Sequence, residues 1–161
     1  MPVAREIPKN IVALDFETFY DDALTLKKMS TSEYVRDKRF KAHGAAIRLP
    51  TETTSRWVTS TQLQETFAAI DWSQTALLAH HNQFDSLILS HHYGVRPAYT
   101  LCTMSMARAL YSHDIGASLD EVAKFLGKGA KIRGALDNNK GKRELSPEEE
   151  RALAEIGRAH V

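Results

Sequence analysis

The stretch Ile11-Val12-Ala13-Leu14-Asp15-Phe16-Glu17-Thr18 decides the reading of this chain. From Ile11 to Phe16 it is a short apolar run broken by one carboxylate, the pattern of a buried strand. Side chains two apart on a strand point to the same face, so Asp15 and Glu17 lie side by side while Leu14 and Phe16 face the other way. Two carboxylates crowded at the end of an apolar strand repel each other and lose hydration. A bound divalent cation removes both costs, and hard carboxylate oxygens suit Mg²⁺ or Mn²⁺. The competing reading is a strand that reaches solvent at Asp15 and carries acids for solubility. An acid-x-acid pair alone does not separate the two.

A second cluster, Leu77-Leu78-Ala79-His80-His81-Asn82-Gln83-Phe84-Asp85, runs from an apolar strand into polar residues and then an acid at a helix start. Asp85 can serve there simply by complementing the helix dipole. Strand ends beside helix starts are also where α/β sheets place their sites, and an acid there can converge with Asp15 and Glu17 on a pair of metals.

Working outward, Ala42 to Leu49 and Ser55 to Thr59 read as strands joined by a turn over residues 50–54, and Ala76 to Ala79 as a buried strand. A short helix is expected around Ser32 to Arg36. Leu63, Phe67 and Ile70 have helical spacing, with Thr61 and Gln64 as a capping box. Further helices are expected over Asp85 to Tyr93, ended by Gly94, over Thr103 to Tyr111, and from a Ser118/Glu121 capping box to about Leu126. Ser146, Pro147 and Glu149 supply an N-cap, a first-turn proline and a box acid for a last helix that has barely begun when the chain ends. Strands followed by helix, strand and helix imply an α/β fold with a mixed sheet.

The 161 residues are enough for one domain with a real core, and 43% hydrophobic with 25% charged residues is ordinary globular composition. No apolar run approaches the ~18–20 residues of a membrane helix. Residues 1–10 have no secretory-signal pattern. One cysteine, Cys102, forbids an internal disulfide framework, so a reducing, cytoplasmic setting is expected. The net charge of +1 neither supports nor excludes nucleic acid. Lys128, Lys131, Arg133, Lys140, Lys142 and Arg143 fall in one Gly- and Asn-rich stretch, which reads either as a solvated loop or as one that touches phosphates. The pairs His80-His81 and His91-His92 read as surface or packing residues, because adjacent side chains diverge and each pair offers a metal at most one ligand.

Together the clusters resemble the 3′–5′ exonuclease (proofreading) domain of phage-type family A DNA polymerases, in the ribonuclease H-like superfamily of DEDD exonucleases. Asp15-Phe16-Glu17-Thr18 is similar to that family's first motif and Phe84-Asp85 to the end of its second. The segments 30–40, 87–94 and 104–110 resemble stretches of the phage enzymes, so the resemblance runs from Ile11 to about Glu155. It implies a ribonuclease H-like (DnaQ-like exonuclease) fold, a mixed sheet flanked by helices. It also implies two-metal hydrolysis of terminal phosphodiesters to 5′-mononucleotides, with Asp15, Glu17 and Asp85 as catalytic, metal-holding acids for two Mg²⁺ or Mn²⁺ ions. The implied partners are a single-stranded DNA 3′ end and the polymerase domain of the same parent chain. The implied location is the cytoplasm of a bacterial cell or phage-infected host. Thr18 and Phe19 are candidates to contact the terminal nucleotide, with Phe84 supporting the site and Phe19 equally readable as core packing. Relatives carry Asn four positions before the second-motif acid. Here His81 stands there and Asn82 follows, so both are substrate-binding candidates. Cys102 sits where relatives have Asp, and reads as packing rather than as a nucleophile.

The family's third motif, Tyr-x-x-x-Asp on a helix after a Ser-Pro-Glu-Glu-like start, would bring a fourth acid. Ser146-Pro147-Glu148-Glu149 is present, but the match breaks after Glu155. Residues 156–161 can be encoded by ATC GGA AGA GCA CAC GTC, which after a GAG codon spells a common short-read sequencing adapter. The reading is an exonuclease domain over residues 1–155, C-terminally truncated before its third motif, with 156–161 as an adapter-derived tail. A genuine divergent C-terminus is the alternative. Two other functions stay open: a stand-alone DEDD-type exonuclease, and a non-catalytic nucleic-acid-binding module of the same fold. An uninterrupted read of the source DNA across the Glu155 codon is expected to continue into Tyr-x-x-x-Asp and a polymerase domain. A stop codon directly after Val161 would remove the adapter assignment.

Overall fold

A computed structural model describes residues 6–111, 113–128 and 139–161. Five strands, β1 (Asn10–Thr18), β2 (Ala42–Arg48), β3 (Arg56–Thr59), β4 (Thr75–Ala79) and β5 (Tyr99–Cys102), form one sheet in the order β3-β2-β1-β4-β5. β1, β2 and β3 pair antiparallel, whereas β1, β4 and β5 run parallel, so the sheet is mixed as expected. The helices are α1 (Thr31–Arg36), α2 (Leu63–Ala68), α3 (Asn82–Tyr93), α4 (Thr103–Tyr111), α5 (Leu119–Phe125) and α6 (Pro147–His160).

The period-2 alternation of β1 sorts the two faces of the sheet. Val12, Leu14 and Phe16 join Ala45, Ile47, Val58 and Leu77 in the main core, together with Phe67 of α2 and Ile88 and Leu89 of α3. The Phe16 ring stacks on Tyr93 and meets Phe67 edge-on. The opposite face carries Asp15 beside Ala46, and Glu17 beside Gly44. There α6 lies across β1, β2 and β3 and buries Leu153, Ala154, Ile156 and Gly157. Close approach is possible because both sides of this contact are small. A Cβ on Gly157 would meet the Ala46 methyl at 3.2 Å and the Trp57 ring at 3.4 Å.

Several elements differ from the sequence expectation. β5 was not expected; it is four residues long and passes directly into α4. The Thr61/Gln64 capping box does not form. Gln62 is the N-cap of α2 without a side-chain bond, and its amide oxygen instead accepts from Thr59. The boxes at Ser118/Glu121 and Ser146/Glu149 do form, and so does an unforeseen one at Ser30/Glu33 that starts α1. α3 begins at Asn82, three residues before the expected start. α6 is the largest correction: it runs 14 residues to His160 and is a full helix. Three members of the basic stretch are tied down. Lys140 pairs with Asp22, Lys142 with Glu149, and Arg143 donates to the Arg39 carbonyl and lies over the Phe19 ring. Lys131 and Arg133 lie outside the described residues.

Gly44 is the position with least room on the α6 side. A Cβ there would overlap the Trp57 indole and approach the Val58 carbonyl oxygen to 2.6 Å. Gly44→Ala is therefore expected to displace Trp57 and destabilise the fold by about 1–3 kcal/mol, the usual range for overpacking. A urea midpoint equal to that of the parent chain would show that Trp57 can swing away without cost.

Candidate active site

Asp15 and Glu17 occupy the α6-facing side of the central strand, where the strand alternation put them. Asp15 is partly exposed, but Glu17 is buried at 7% exposure. The pairing of β1 with β2 shifts register between Glu17 and Thr18, so the strand is irregular just beyond the acids. Asp85, on the first turn of α3, is 2% exposed, and its Oδ1 accepts from the Phe16 backbone N–H at 3.1 Å. That bond ties the start of α3 to the strand between the two acids.

The electrostatics of Asp85 follow from this placement. Burial pushes its carboxyl well above the ordinary value of 3.8, and the negative charge of Asp15 adds to the rise. The Phe16 N–H opposes both effects, and the charge of Glu17 adds a smaller push upward. A site that raises the pKa of an acid in this way is short of positive charge. One donor atom each from Asp15, Glu17 and His160 lie within 4.8 Å of one another, a spacing and donor set that suits a divalent cation. Two neighbouring carboxylates, with a third acid behind them whose pKa is raised, are the features a metal would relieve.

His160, in the stretch 156–161 whose sequence reads as an adapter-derived tail, also reaches Asp15. Its Nδ1 lies 3.0 Å from Asp15 Oδ2 across 145 positions of sequence, and no local pattern announces it. The other candidates are distributed as follows. Thr18 Oγ1 shares a 2.8 Å hydrogen bond with the Tyr34 hydroxyl, which also donates to the Phe19 carbonyl. Thr18 and Glu17 line a cleft of about 180 Å³ with Tyr20, Thr25, Leu26 and Tyr34. Phe19 is a core residue, 4% exposed. Phe84 packs against that core near Tyr34. Asn82 is buried and fully engaged: its amide donates to the Leu77 and Leu101 carbonyls, and its Oδ1 accepts from Ser86. It thereby locks the ends of β4 and β5 to α3. His81 holds a left-handed backbone, φ 62°, at the strand-to-helix turn. Such a conformation is uncommon without glycine, and Asn, Asp and His adopt it most readily. Cys102, half-buried at the end of β5, is not among the metal-competent group.

A second cavity, about 330 Å³, opens on the α6 side between β1, β4 and α5. His80, Thr103, Leu126, Lys128 and His160 are among its lining residues. His80 Nδ1 lies 2.9 Å from Thr103 Oγ1, while burial pulls the imidazole pKa down and favours the neutral ring.

No family model matches the chain, and no curated protein does. Among solved structures it is similar to Brucella melitensis NrnC with bound Mg²⁺, at TM-score 0.62 and 19% identity over 94% of this chain and 66% of that one. It is also similar to an apo nuclease, at TM-score 0.62 and 17% identity over 93% of this chain and 68% of that one. A third likeness is to Trypanosoma brucei RNase D in complex with RNA U12, at TM-score 0.61 and 15% identity over 93% and 52%. The chain thus spans about two thirds of the NrnC chain and about half of RNase D. What these structures share with it is the ribonuclease H-like fold, a mixed five-stranded sheet flanked by helices.

The raised pKa of Asp85 has a signed consequence. A carboxyl whose folded pKa lies above its unfolded value holds a proton in the native state that the unfolded chain releases. Stability is then highest below the unfolded value and falls as pH rises from about 4 through the raised folded pKa. In EDTA, the urea midpoint is expected to decline over that window, and Asp85→Asn is expected to remove most of the decline. Equal slopes for the two proteins would place the buried charge elsewhere.

Proposed function

We propose that this chain is the catalytic domain, truncated before its third motif, of a DEDD-type 3′–5′ exonuclease, which hydrolyses the terminal phosphodiester of a single-stranded nucleic acid and releases 5′-mononucleotides. The observation that carries this reading is the placement of Asp15 and Glu17 on one face of the central strand with Asp85 buried behind them. Mg²⁺ bound to NrnC and RNA bound to RNase D, on the same fold, support it. Two divalent cations, Mg²⁺ or Mn²⁺, held by Asp15, Glu17 and Asp85 would supply a water of lowered pKa as nucleophile and positive charge for the leaving 3′ oxygen.

The chain's own residues do the rest. Asp15 and Glu17 present oxygens from a rigid strand, so their positions are set by the sheet. Asp85 is aimed by the Phe16 N–H. Thr18, oriented by the Tyr34 hydroxyl and facing the cleft, is the residue placed to meet the terminal nucleotide. His81, at the left-handed turn before α3, is the second such candidate. Asn82 and Phe19 act by holding the strand ends and the core behind the site.

A stand-alone nuclease is the context that the solved structures support better. A second context, the proofreading part of a DNA polymerase acting on DNA 3′ ends, is favoured by one specific observation, the likeness of segments 30–40, 87–94 and 104–110 to phage polymerases. A polymerase domain downstream of this one in the parent gene separates the two contexts.

The parent protein, extended through its third motif, is expected to shorten a 5′-labelled single-stranded oligonucleotide stepwise from its 3′ end when Mg²⁺ or Mn²⁺ is added, and to stop in EDTA; the 161-residue piece, which lacks the fourth acid, is expected to be a poor nuclease. Asp15→Ala is expected to reduce the rate at least about a hundredfold, since it removes charge stabilisation at the reacting phosphate, while leaving the circular dichroism spectrum unchanged. Digestion by a folded Asp15→Ala protein at the parent rate would sink the site assignment. An absence of any digestion by the protein extended through its third motif would favour a non-catalytic module.

A further inference from the structure

A buried tyrosine hydroxyl decides which way a neighbouring proton points. Tyr34 Oη lies 2.5 Å from the Phe19 carbonyl oxygen, and a carbonyl can only accept, so the single phenol proton is committed there. Tyr34 Oη also lies 2.8 Å from Thr18 Oγ1. With the phenol proton committed, Thr18 must donate in that second bond. The phenol keeps its proton, because burial holds its pKa above the ordinary 10.0. Tyr34 is held in place as well. It is 2% exposed, on a helix begun by the Ser30/Glu33 capping box, with its ring against Phe40 and Phe84. Thr18 Oγ1 is therefore left with lone pairs, and no proton, for any group that enters the cleft it lines with Glu17. Side by side on β1, these two residues present a hydroxyl acceptor and a carboxylate to a space of about 180 Å³.

We propose that Tyr34 is a positioning residue that fixes Thr18 as a hydrogen-bond acceptor, so that the cleft takes a terminal nucleotide with a free sugar hydroxyl and turns away one that ends in phosphate. A sugar hydroxyl has the proton that Thr18 Oγ1 lacks. A terminal phosphate brings only acceptors and negative charge to a wall made of an acceptor and a carboxylate. The alternative role is a pair of hydrogen bonds that merely ties α1 to the end of β1. It would contribute to stability and change the affinity for every nucleotide alike. The inference rests on the exonuclease reading and deepens it by naming the chemistry of the chain end. It is tested by binding, so that the two can fail separately.

The full chain is titrated in Mg²⁺, with protein amide resonances as the readout, against four nucleoside 5′-monophosphates that differ only at the sugar. They are 2′-deoxyadenosine, which has the 3′-hydroxyl, 3′-deoxyadenosine, which has the 2′-hydroxyl, 2′,3′-dideoxyadenosine, which has neither, and 2′-deoxyadenosine bearing a 3′-phosphate. None contains an internucleotide bond, so binding is read without turnover. A nucleotide with the matching hydroxyl is expected to bind at least about fivefold tighter than the dideoxy compound, the scale of one hydrogen bond, and the 3′-phosphate is expected to bind weakest. Binding that follows the 3′-hydroxyl assigns Thr18 to the chain end itself, and binding that follows the 2′-hydroxyl assigns it to ribose; either upholds the acceptor. Tyr34→Phe keeps the ring and frees the Thr18 proton. It is expected to bring the hydroxyl and dideoxy nucleotides within about twofold of each other and to narrow the gap to the 3′-phosphate. Thr18→Val is expected to erase the same preference and Thr18→Ser to retain it, and these two decide the matter should Tyr34→Phe not fold. A hydroxyl preference as large in Tyr34→Phe and Thr18→Val as in the parent chain would overturn the proposal. So would equal binding of all four nucleotides by the parent chain, or binding of none. Hydroxyl-dependent binding by a protein whose extended form digests nothing would count against the exonuclease reading only.

Discussion

Carboxylate crowding at the centre of the sheet is the constraint on which the rest of this structure depends. Asp15 and Glu17 share a face of β1, and Asp85 is buried within reach of their charges. Three acids so placed cost free energy in a chain with no cation bound. The protein offsets part of that cost with local donors, the Phe16 N–H to Asp85 and the His160 imidazole to Asp15. What remains is a raised pKa at Asp85 beside two acids fixed by the strand, a perturbation of the kind that clusters at functional sites.

The two faces of the sheet divide the labour. One carries the apolar core, with aromatic contacts among Phe16, Phe67, Tyr93 and Trp72. The other is closed by a single helix, α6, which can approach because Gly44, Ala46 and Gly157 leave room for Trp57 between them. Trp57 Nε1 in turn donates to Glu150 of α6. The same helix carries His160, in the adapter-like stretch 156–161, to 3.0 Å from Asp15. Site geometry and packing on that face are one problem, and a loss of packing there moves a group at the acids.

Much of this was legible in the residues. The alternation around Asp15 and Glu17, the strand leading to Asp85, the serine-led capping boxes at Ser118 and Ser146 and the mixed sheet all follow from short-range patterns whose physics is local. The misses share a cause of the opposite kind. β5 is four residues of mixed polarity, and only its parallel pairing with β4 makes it a strand. Thr61 had the right spacing to cap α2, yet Gln62 reached Thr59 instead, because side-chain bonds to a neighbouring strand end compete with the box. Asn82 looked like a residue for substrate, but two carbonyls at the ends of β4 and β5 take its amide.

The sequence by itself determined the class of fold, the pair of acids on one strand face and the third acid at a helix start. Strand periodicity and helix-end chemistry act over a few residues and need no partner. Only the tertiary structure decided that Asp85 is buried and held by the Phe16 N–H, and that Asn82 fastens two strand ends. It also decided that His160 reaches Asp15 from the far end of the chain. Those arrangements depend on which elements come to lie beside each other, and on charges and hydrogen bonds made between residues that no local pattern links.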